Sequence, residues 1–337
     1  MSTSSEYLNF SIPEERSHQH SLTPRLQLTR YCEPYLSIAT TLLGFPLVEL
    51  DLSIRNDFLQ GMEADSYWFY SGFPCLNTIC LRFYDLQARS QDTASRILYT
   101  FLKSSPRVQT LSLFVHERFG DWGPTGRSVQ SLLELAITGK NRLPRGAPRL
   151  RKITIKGTGY TTTPELASAL NTPALKELFL IAENPLFLSM ANEGFWLALA
   201  KRSSDPVKLT TLRCPRLTPG LIDFLRSFSG LERLEFDTTF QAEVPSNPRP
   251  FALQEARETR RELPDAFFDE ALPSHKTSLK YLSFCGNVET GELWEVQPEY
   301  LERICQCSSL REVRIPIRYP GPDLVCFALI SLSAHII

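Results

Sequence analysis

The sequence lacks an excess of charge of one sign, and it contains no hydrophobic run long enough to cross a membrane. Its 36 Lys and Arg residues are balanced by 37 Asp and Glu residues, which leaves a net charge of −1. Such a chain has no overall field that attracts nucleic acid or an anionic membrane surface, so we expect neither as a partner. The longest apolar run, residues 324–330, is much shorter than the roughly 20 residues that a bilayer requires. We expect this run to be a buried element that closes the fold.

The chain is also poor in the motifs that carry catalysis or bind metals. No G-x-S-x-G turn and no phosphate-binding loop is present. Cys305 and Cys307 do not have C-x-x-C spacing, and no second cysteine pair stands at a distance typical of zinc sites. The few candidate catalytic bases are the five histidines, His18, His20, His116, His275 and His335. We therefore predict a protein that is not an enzyme and that holds no metal or cofactor.

The eight cysteines show no compact spacing of the kind found in small disulfide-rich domains. Residues 1–6 have neither the basic start nor the apolar stretch of a signal peptide. We therefore expect reduced thiols and a cytoplasmic or nuclear location.

A repeated apolar pattern dominates what the sequence does contain. Residues 279–287 fit L-x-x-L-x-L-x-x-N, with Phe284 in the third apolar place and Asn287 at the end. Apolar residues at positions one, four and six suit a short strand with one buried face. Eight other stretches repeat the apolar part of the pattern: Leu47/Leu50/Leu52, Leu76/Ile79/Leu81, Val108/Leu111/Leu113, Leu150/Ile153/Ile155, Leu175/Leu178/Leu180, Leu209/Leu212/Cys214, Leu231/Leu234/Phe236 and Leu310/Val313/Ile315.

The intervals between successive copies range from 22 to 48 residues. Segments with helical spacing lie between the copies, at residues 93–104, 128–138, 164–170, 192–201, 218–225 and 292–305. The tandem of strand–helix units predicts an α/β leucine-rich-repeat solenoid, with a curved parallel sheet on the concave side and helices on the convex side. A doubly wound domain has the same element order, but these strands share one internal pattern and lack a Gly-rich first turn.

We predict a polar leader over residues 1–31 and one irregular solenoid of about nine strand–helix units over residues 32–337. Insertions are expected at about residues 116–146 and 240–277, where turn-forming residues are frequent. Long insertions in repeat proteins often project as loops at a binding face. The charged stretch at residues 254–263 is expected to be a solvated helical face.

The residues between the buried positions provide the candidate binding site. If positions one, four and six point into the core, then positions three, five and seven face solvent from the sheet. Aromatic side chains with arginine nearby are typical anchors of protein interfaces, and the basic members would select acidic groups on a partner. The predicted partner-binding residues are Phe114, Lys152, Lys156, Phe179, Ile181, Arg213, Arg233, Glu235, Tyr281 and Arg314. In the alternative interpretation, the two insertions fold back and cover the apolar members of this set.

Irregular L-x-x-L-x-L strands, helical segments between them and cysteines within the strands resemble the leucine-rich-repeat proteins of fungal F-box families, over residues 32–330. The resemblance implies an adaptor that holds a substrate on its repeats while an N-terminal F-box binds a ubiquitin-ligase scaffold. An F-box opens with a Leu-Pro pair. The first 44 residues offer only Ile12-Pro13, without a following apolar helix, so the F-box itself is not recognisable.

We therefore predict a non-enzymatic scaffold for protein–protein interaction, with a substrate-recognition adaptor of F-box type as its most specific version. The alternative function is an accessory factor or enzyme whose small-molecule site is formed by the 116–146 insertion. A fragment of a longer protein is a further alternative, because Ile336 and Ile337 leave the last repeat without an obvious polar cap.

Overall fold

The computed structural model describes residues 25–28, 48–56, 59, 75–87, 90–116, 150–157, 163–170, 173–182, 193–200, 207–215, 217–236, 263–284, 298–318 and 325–331. The chain divides into two compact units, Met1–Tyr160 and Thr161–Ile337. Both units are of α/β type and contain parallel strands, as the sequence predicts. In the parts of the chain that the structure describes, no helix is long and apolar enough to cross a bilayer.

The first unit contains parallel strands that follow one another in chain order. They are β1 (Arg25–Leu28), β2 (Glu49–Arg55), β3 (Thr78–Tyr84), β4 (Thr110–His116) and β5 (Lys152–Gly157). Helix α1 (Gln91–Ser104) connects β3 to β4 and buries Ile97, Leu98 and Phe101. Strand β1 falls within the segment predicted as a polar leader, and it pairs with β2, the strand of the first apolar copy.

The second unit contains strands β6 (Glu177–Ala182), β7 (Thr211–Cys214), β8 (Arg233–Phe236), β9 (Tyr281–Phe284), β10 (Glu312–Arg318) and β11 (Val325–Ser331). Adjacent described pairs from β6 to β10 are parallel, whereas β11 runs antiparallel to β10. The helices are α2 (Pro164–Leu170), α3 (Glu193–Ala200), α4 (Pro219–Arg226) and α5 (Pro298–Cys305). Helix α2 contacts α3, and α3 contacts α4. The apolar run at residues 324–330 thus contributes an edge strand, β11.

Each of the nine apolar patterns carries one strand, and neighbouring strands align the same position of the pattern. In the first unit Leu50, Ile79, Leu111 and Ile153 are register partners, and all four are buried. In the second unit the same position is occupied by a row of buried residues, Leu178, Leu212, Leu234, Leu282 and Val313. The variable length between copies is therefore accommodated outside the strands.

A backbone contact at the second position of the pattern maintains this register. The carbonyl oxygen of Glu232 accepts hydrogen bonds from the N–H groups of Lys280, at 2.7 Å, and Tyr281, at 3.0 Å. The Thr210 carbonyl accepts from Glu232 and Arg233 in the same way, at 2.8 and 3.0 Å. Glu232 and Lys280 are 48 residues apart in the chain. One carbonyl thus satisfies two N–H groups of the next copy, whatever the length of the intervening segment.

The helix starts follow from local sequence signals. Pro occupies the first position of α4, and the Thr218 hydroxyl caps the helix by accepting a hydrogen bond from the N–H of Leu221 at 3.2 Å. Thr163 caps α2 through the N–H of Leu166 at 3.1 Å. Helix α4 ends at Arg226. Gly230 adopts φ 101° in the segment that leads to β8, a conformation that suits glycine.

The predicted helix bounds agree closely with the structure for α1, α2 and α3. Helix α5 covers only the second half of the predicted 292–305 helix, since residues 292–297 lie outside the described part. The predicted 128–138 helix lies wholly outside it. The same is true of the 116–146 insertion beyond His116 and of residues 254–262 in the charged stretch.

The described end of the 240–277 segment is helical and packs onto strands β8 and β9. It includes a π-helical turn, Phe267–Ala271, followed by a 3₁₀ turn, Leu272–His275. The ring of Phe267 meets Phe236 edge-on, with centroids 5.7 Å apart. The ring of Phe268 stacks on Tyr300 at 4.4 Å. This segment therefore covers the apolar side of the second unit's strands.

Candidate functional site

The side chains of β7 to β10 divide between two faces. Phe236 and Phe284 lie on the face that contacts the helical segment, together with the leucine row described above. Alternate residues of a strand point to the opposite face. We call that opposite face the polar face of the second unit; it carries Thr211, Arg213, Arg233, Glu235, Tyr281, Ser283, Glu312 and Arg314.

Glu235 lies between two arginines on this face. The Nε atom of Arg233 donates to Oε1 of Glu235. The Nε atom of Arg213, whose residue is the register partner of Glu235, lies 3.7 Å from Oε2. Each carboxylate oxygen of Glu235 therefore faces one guanidinium group. Two positive charges compensate one buried negative charge, which makes burial of the carboxylate tolerable.

The ring of Tyr281 contacts two arginines. The Cζ atom of Arg233 lies 4.1 Å from the centroid of the Tyr281 ring, and that of Arg314 lies 5.5 Å from it. Arg233 comes from β8 and Arg314 from β10, the two strands that flank β9. These distances are within the range of cation–π attraction. The Tyr281 side chain is consequently well covered, with only 9% of its residue surface exposed.

Arg233 and Arg314 are more exposed than the carboxylates that they contact. The Glu235 side chain is 10% exposed, whereas those of Arg233 and Arg314 are 48% and 51% exposed. Glu312 is half-buried and accepts a hydrogen bond from Nε of Arg314 at 2.8 Å. The charge that reaches solvent at this place is therefore mainly that of guanidinium groups. We refer to Arg213, Arg233, Glu235, Tyr281 and Arg314 together as the arginine–tyrosine cluster.

The first unit contains a related arrangement around Arg82. Its guanidinium pairs with Asp51, whose side chain is 1% exposed, and its Cζ atom lies 5.1 Å from the centroid of the Phe114 ring. Asp51, Arg82 and Phe114 lie on the adjacent strands β2, β3 and β4. In both units an arginine thus pairs with a buried carboxylate and also contacts an aromatic ring on the next strand.

The structure places the predicted site residues in two groups, one in each unit. In the first unit Lys156 is the register partner of Phe114, and Lys152 is the partner of Thr110. In the second unit Phe179 is the partner of Arg213, and Ile181 follows two residues later on β6. Phe114, Lys152, Lys156, Phe179, Ile181 and Arg213 are half-buried, Arg233 and Arg314 are exposed, and Glu235 and Tyr281 are buried.

The expectation that positions three, five and seven all face solvent needs correction. Six described residues at these positions are buried: Asp51, Cys80, Pro215, Glu235, Tyr281 and Ser283. Arginine side chains are long enough to lie along the sheet and contact shorter neighbours, as Arg82 does with Asp51 and Arg233 with Tyr281. Arg82 and Asp51 were not among the predicted site residues. Arg82 occupies position seven of its copy, one strand from Phe114, and Asp51 occupies position five of its copy, two strands from Phe114. These positions could have identified both residues.

Two buried groups of the second unit, His275 and Cys307, have pKa values that keep them uncharged at neutral pH. Burial lowers the pKa of His275 to about 4, and both ring nitrogens contact the backbone. Burial, together with the neighbouring Cys305, raises the pKa of Cys307 to about 11. The described cysteines, Cys75, Cys80, Cys214, Cys305 and Cys307, are free thiols. No three His, Cys, Asp or Glu residues in the described ranges are grouped so that they could hold a metal ion.

Comparison with known proteins assigns no family: the sequence matches no protein-family model, and a search of curated proteins finds no match. The structure shows a broader class of protein than a family, namely an α/β protein with parallel strands. In each unit, aromatic and acidic neighbours order an arginine on the polar side of the strands.

Proposed function

We propose that this chain is a non-enzymatic leucine-rich-repeat solenoid that binds another protein through the polar side of its strands. The arginine–tyrosine cluster is the observation that carries this proposal. Arginine and tyrosine are enriched among the residues that dominate binding energy at protein interfaces. In this cluster the contacts with Glu235 and Tyr281 already restrict the side chain of Arg233, so less conformational entropy is lost when a partner binds.

The constant register supports the solenoid part of the proposal. Copies separated by 22 to 48 residues still align the same buried position and use the same type of backbone contact. In a solenoid each unit packs mainly on its neighbours, so segments between strands can vary while the strands stay aligned. Such a stack offers an extended surface of side chains for a protein partner.

The specific version that we propose is a substrate-recognition adaptor similar to those of the fungal F-box families. Its support is the resemblance over residues 32–330. In this version the strands hold a substrate protein, and a ubiquitin-ligase scaffold is a second partner. The 116–146 insertion, to which the alternative small-molecule site was assigned, lies outside the described residues beyond His116, and that alternative stays a prediction.

The proposal can be tested by capturing partners with three forms of the full chain. These are the unchanged protein, the double variant Arg233→Gln/Arg314→Gln, and the control Arg226→Gln. Arg226 lies on α4 and is 49% exposed, so its replacement removes an equally exposed charge from another element. A partner of the polar face is retained by the unchanged protein and by the control, and it is lost from the double variant.

Melting temperatures of all three forms show whether each remains folded. The proposal fails if no protein is retained, or if every retained protein binds the folded double variant equally well. Binding of a purified ligase scaffold to the unchanged chain would support the adaptor version. Failure to bind any such scaffold would exclude the adaptor version. The more general proposal, that the chain binds another protein, would remain.

A further inference from the structure

We infer that the arginine–tyrosine cluster recognises an acidic peptide segment, whose carboxylates bind Arg233 and Arg314, one to each guanidinium. The inference rests on the proposed function and names the kind of segment that the second unit binds. Three observations carry it: the orientation and exposure of Arg233, the burial of Glu235 between Arg233 and Arg213, and the positions of Arg233 and Arg314 on the two strands that flank β9.

The orientation of Arg233 leaves hydrogen-bonding capacity at the surface. A guanidinium group has five N–H donors arranged in one plane. Arg233 directs Nε to Glu235, while its Cζ atom lies over the Tyr281 ring, and about half of the side chain stays exposed. A planar, half-exposed guanidinium whose position is already restricted is suited to a carboxylate, which it can bind through two parallel hydrogen bonds.

The burial of Glu235 determines the sign of the charge on the preferred partner. Its carboxylate is 10% exposed, and its two oxygens face Arg233 and Arg213. Glu312 is half-buried and already accepts from Arg314. Arg233 and Arg314 are more exposed than Glu235 and Glu312, so a basic segment would be repelled by them. An acidic segment meets complementary charge without displacing either ion pair.

The positions of the two arginines suit two carboxylates of one extended segment. Arg233 and Arg314 lie on β8 and β10, with β9 and the Tyr281 ring between them. Because both Cζ atoms lie close to the same ring, at 4.1 and 5.5 Å from its centroid, the two guanidinium groups are at most about 10 Å apart. Side chains two residues apart in an extended peptide are separated by about 7 Å, and flexible Glu side chains can span the remainder. The geometry therefore fits acidic residues at alternate positions of an extended segment.

A short fluorescein-labelled peptide with Glu at alternate positions in a Gly/Ser background tests the inference by fluorescence anisotropy with the full chain. The same peptide with Gln or with Lys in place of Glu provides the charge controls. We expect the Glu peptide to bind, the Lys peptide not to bind, and the affinity for the Glu peptide to fall as salt is added. Arg233→Gln and Arg314→Gln should each weaken binding about fivefold, while Arg226→Gln should leave it unchanged.

Variants of Tyr281 test whether the ring positions the arginines. Tyr281→Phe keeps the ring and should bind as the unchanged protein does, whereas Tyr281→Ala should weaken binding to the folded protein. A peptide with a single phosphoserine in place of all the Glu residues distinguishes a phosphate site from a site for two carboxylates. It should bind more weakly than the Glu peptide.

Several results would overturn the inference: equal binding of the Gln or Lys peptide, equal weakening by Arg226→Gln, or tightest binding of the phosphoserine peptide. Absence of any binding to the Glu peptide would also overturn it. If the Glu peptide fails but a captured protein is still lost from the Arg233→Gln/Arg314→Gln variant, the inference is wrong and the proposed function stands. If no protein depends on the polar face, the proposed function itself fails.

Discussion

The Nε2 atom of His275 lies 3.0 Å from the carbonyl oxygen of Leu225, a residue fifty positions earlier in the chain. Leu225 is in the last turn of α4, where carbonyl groups lack partners within the helix. On the other side of the ring, the N–H of Leu231 donates to Nδ1 over 3.4 Å. A neutral imidazole with its hydrogen on Nε2 satisfies both contacts. It thereby joins α4, the residue that leads into β8 and the helical segment before β9.

This arrangement predicts a loss of stability as the pH falls below about 6.5. Burial lowers the pKa of His275 to about 4 in the folded protein, compared with about 6.5 in an unfolded chain. The unfolded chain therefore takes up the proton at a higher pH than the folded one. The stabilisation that neutral His275 provides is fully present above about pH 6.5 and is lost as the pH falls to about 4. Its size is about 3 kcal/mol.

Urea unfolding at several pH values between 7 and 4 measures this contribution. His275→Asn removes the titrating group, so this variant should be less stable than the unchanged protein at pH 7. It should also lose less stability than the unchanged protein on acidification. The carboxylates that titrate in the same range are common to both proteins and cancel in the comparison. Identical pH dependence of the two proteins would contradict the prediction.

Arg82→Met is expected to lower the free energy of unfolding by about 3 kcal/mol, because it removes the cation that pairs with a nearly inaccessible carboxylate. Asp51→Asn should cost less, since Arg82 is partly exposed and can turn toward water. Chemical denaturation of the two single variants and the double variant completes a mutant cycle. The double variant should be more stable than Arg82→Met. If it is not, groups other than Arg82 compensate the charge of Asp51.

Tyr281→Ala is expected to lower the free energy of unfolding by about 2 kcal/mol, because the ring is buried beside two arginine side chains. Tyr281→Phe keeps the ring and should change stability by less than about 0.5 kcal/mol. Thermal unfolding monitored by circular dichroism compares the two variants. Equal destabilisation by both would mean that the hydroxyl group, and not the ring, stabilises this part of the sheet.

Thr218→Ala should lower the free energy of unfolding by about 1 kcal/mol, since the N–H of Leu221 loses its acceptor at the start of α4. Thr218→Ser retains the hydroxyl and serves as the matched control. Urea denaturation should place the midpoint of the Ala variant below those of the Ser variant and the unchanged protein. A Ser variant as unstable as the Ala variant would show that the methyl group of Thr218 is the stabilising part.

Much of the local structure could be predicted from the sequence. The apolar positions of the nine copies indicate the strands β2 to β10, and Thr163 and Thr218 followed by Pro indicate the starts of two helices. These features depend on residues close together in the chain. The sequence pattern did not identify strand β1, because residues 25–28 contain no copy of it. The backbone of β1 nevertheless pairs with β2.

The candidate site could be predicted only in part. Arg233 and Arg314 are exposed, as their positions in the pattern predict, but Tyr281 and Glu235 are buried. Tyr281 contacts arginines on both flanking strands, and Glu235 contacts Arg213 on β7 as well as Arg233 on its own strand. Contacts between strands do not follow from one strand's own pattern. The role of Phe267 and Phe268 was missed for the same reason, since their partners Phe236 and Tyr300 are about 30 residues away in the chain.

The buried side of each strand follows from the sequence, because alternation along a strand assigns residues to opposite faces regardless of what the chain does elsewhere. Which polar side chains meet on the other face depends instead on how the strands pair. Arg233 reaches Tyr281 because β8 and β9 are aligned at these two residues, and Arg213 reaches Glu235 because β7 and β8 are aligned there. A shift of one residue between those strands would move every such side chain to the opposite face. The contacts of the cluster thus depend on the pairing of strands that are far apart in the chain.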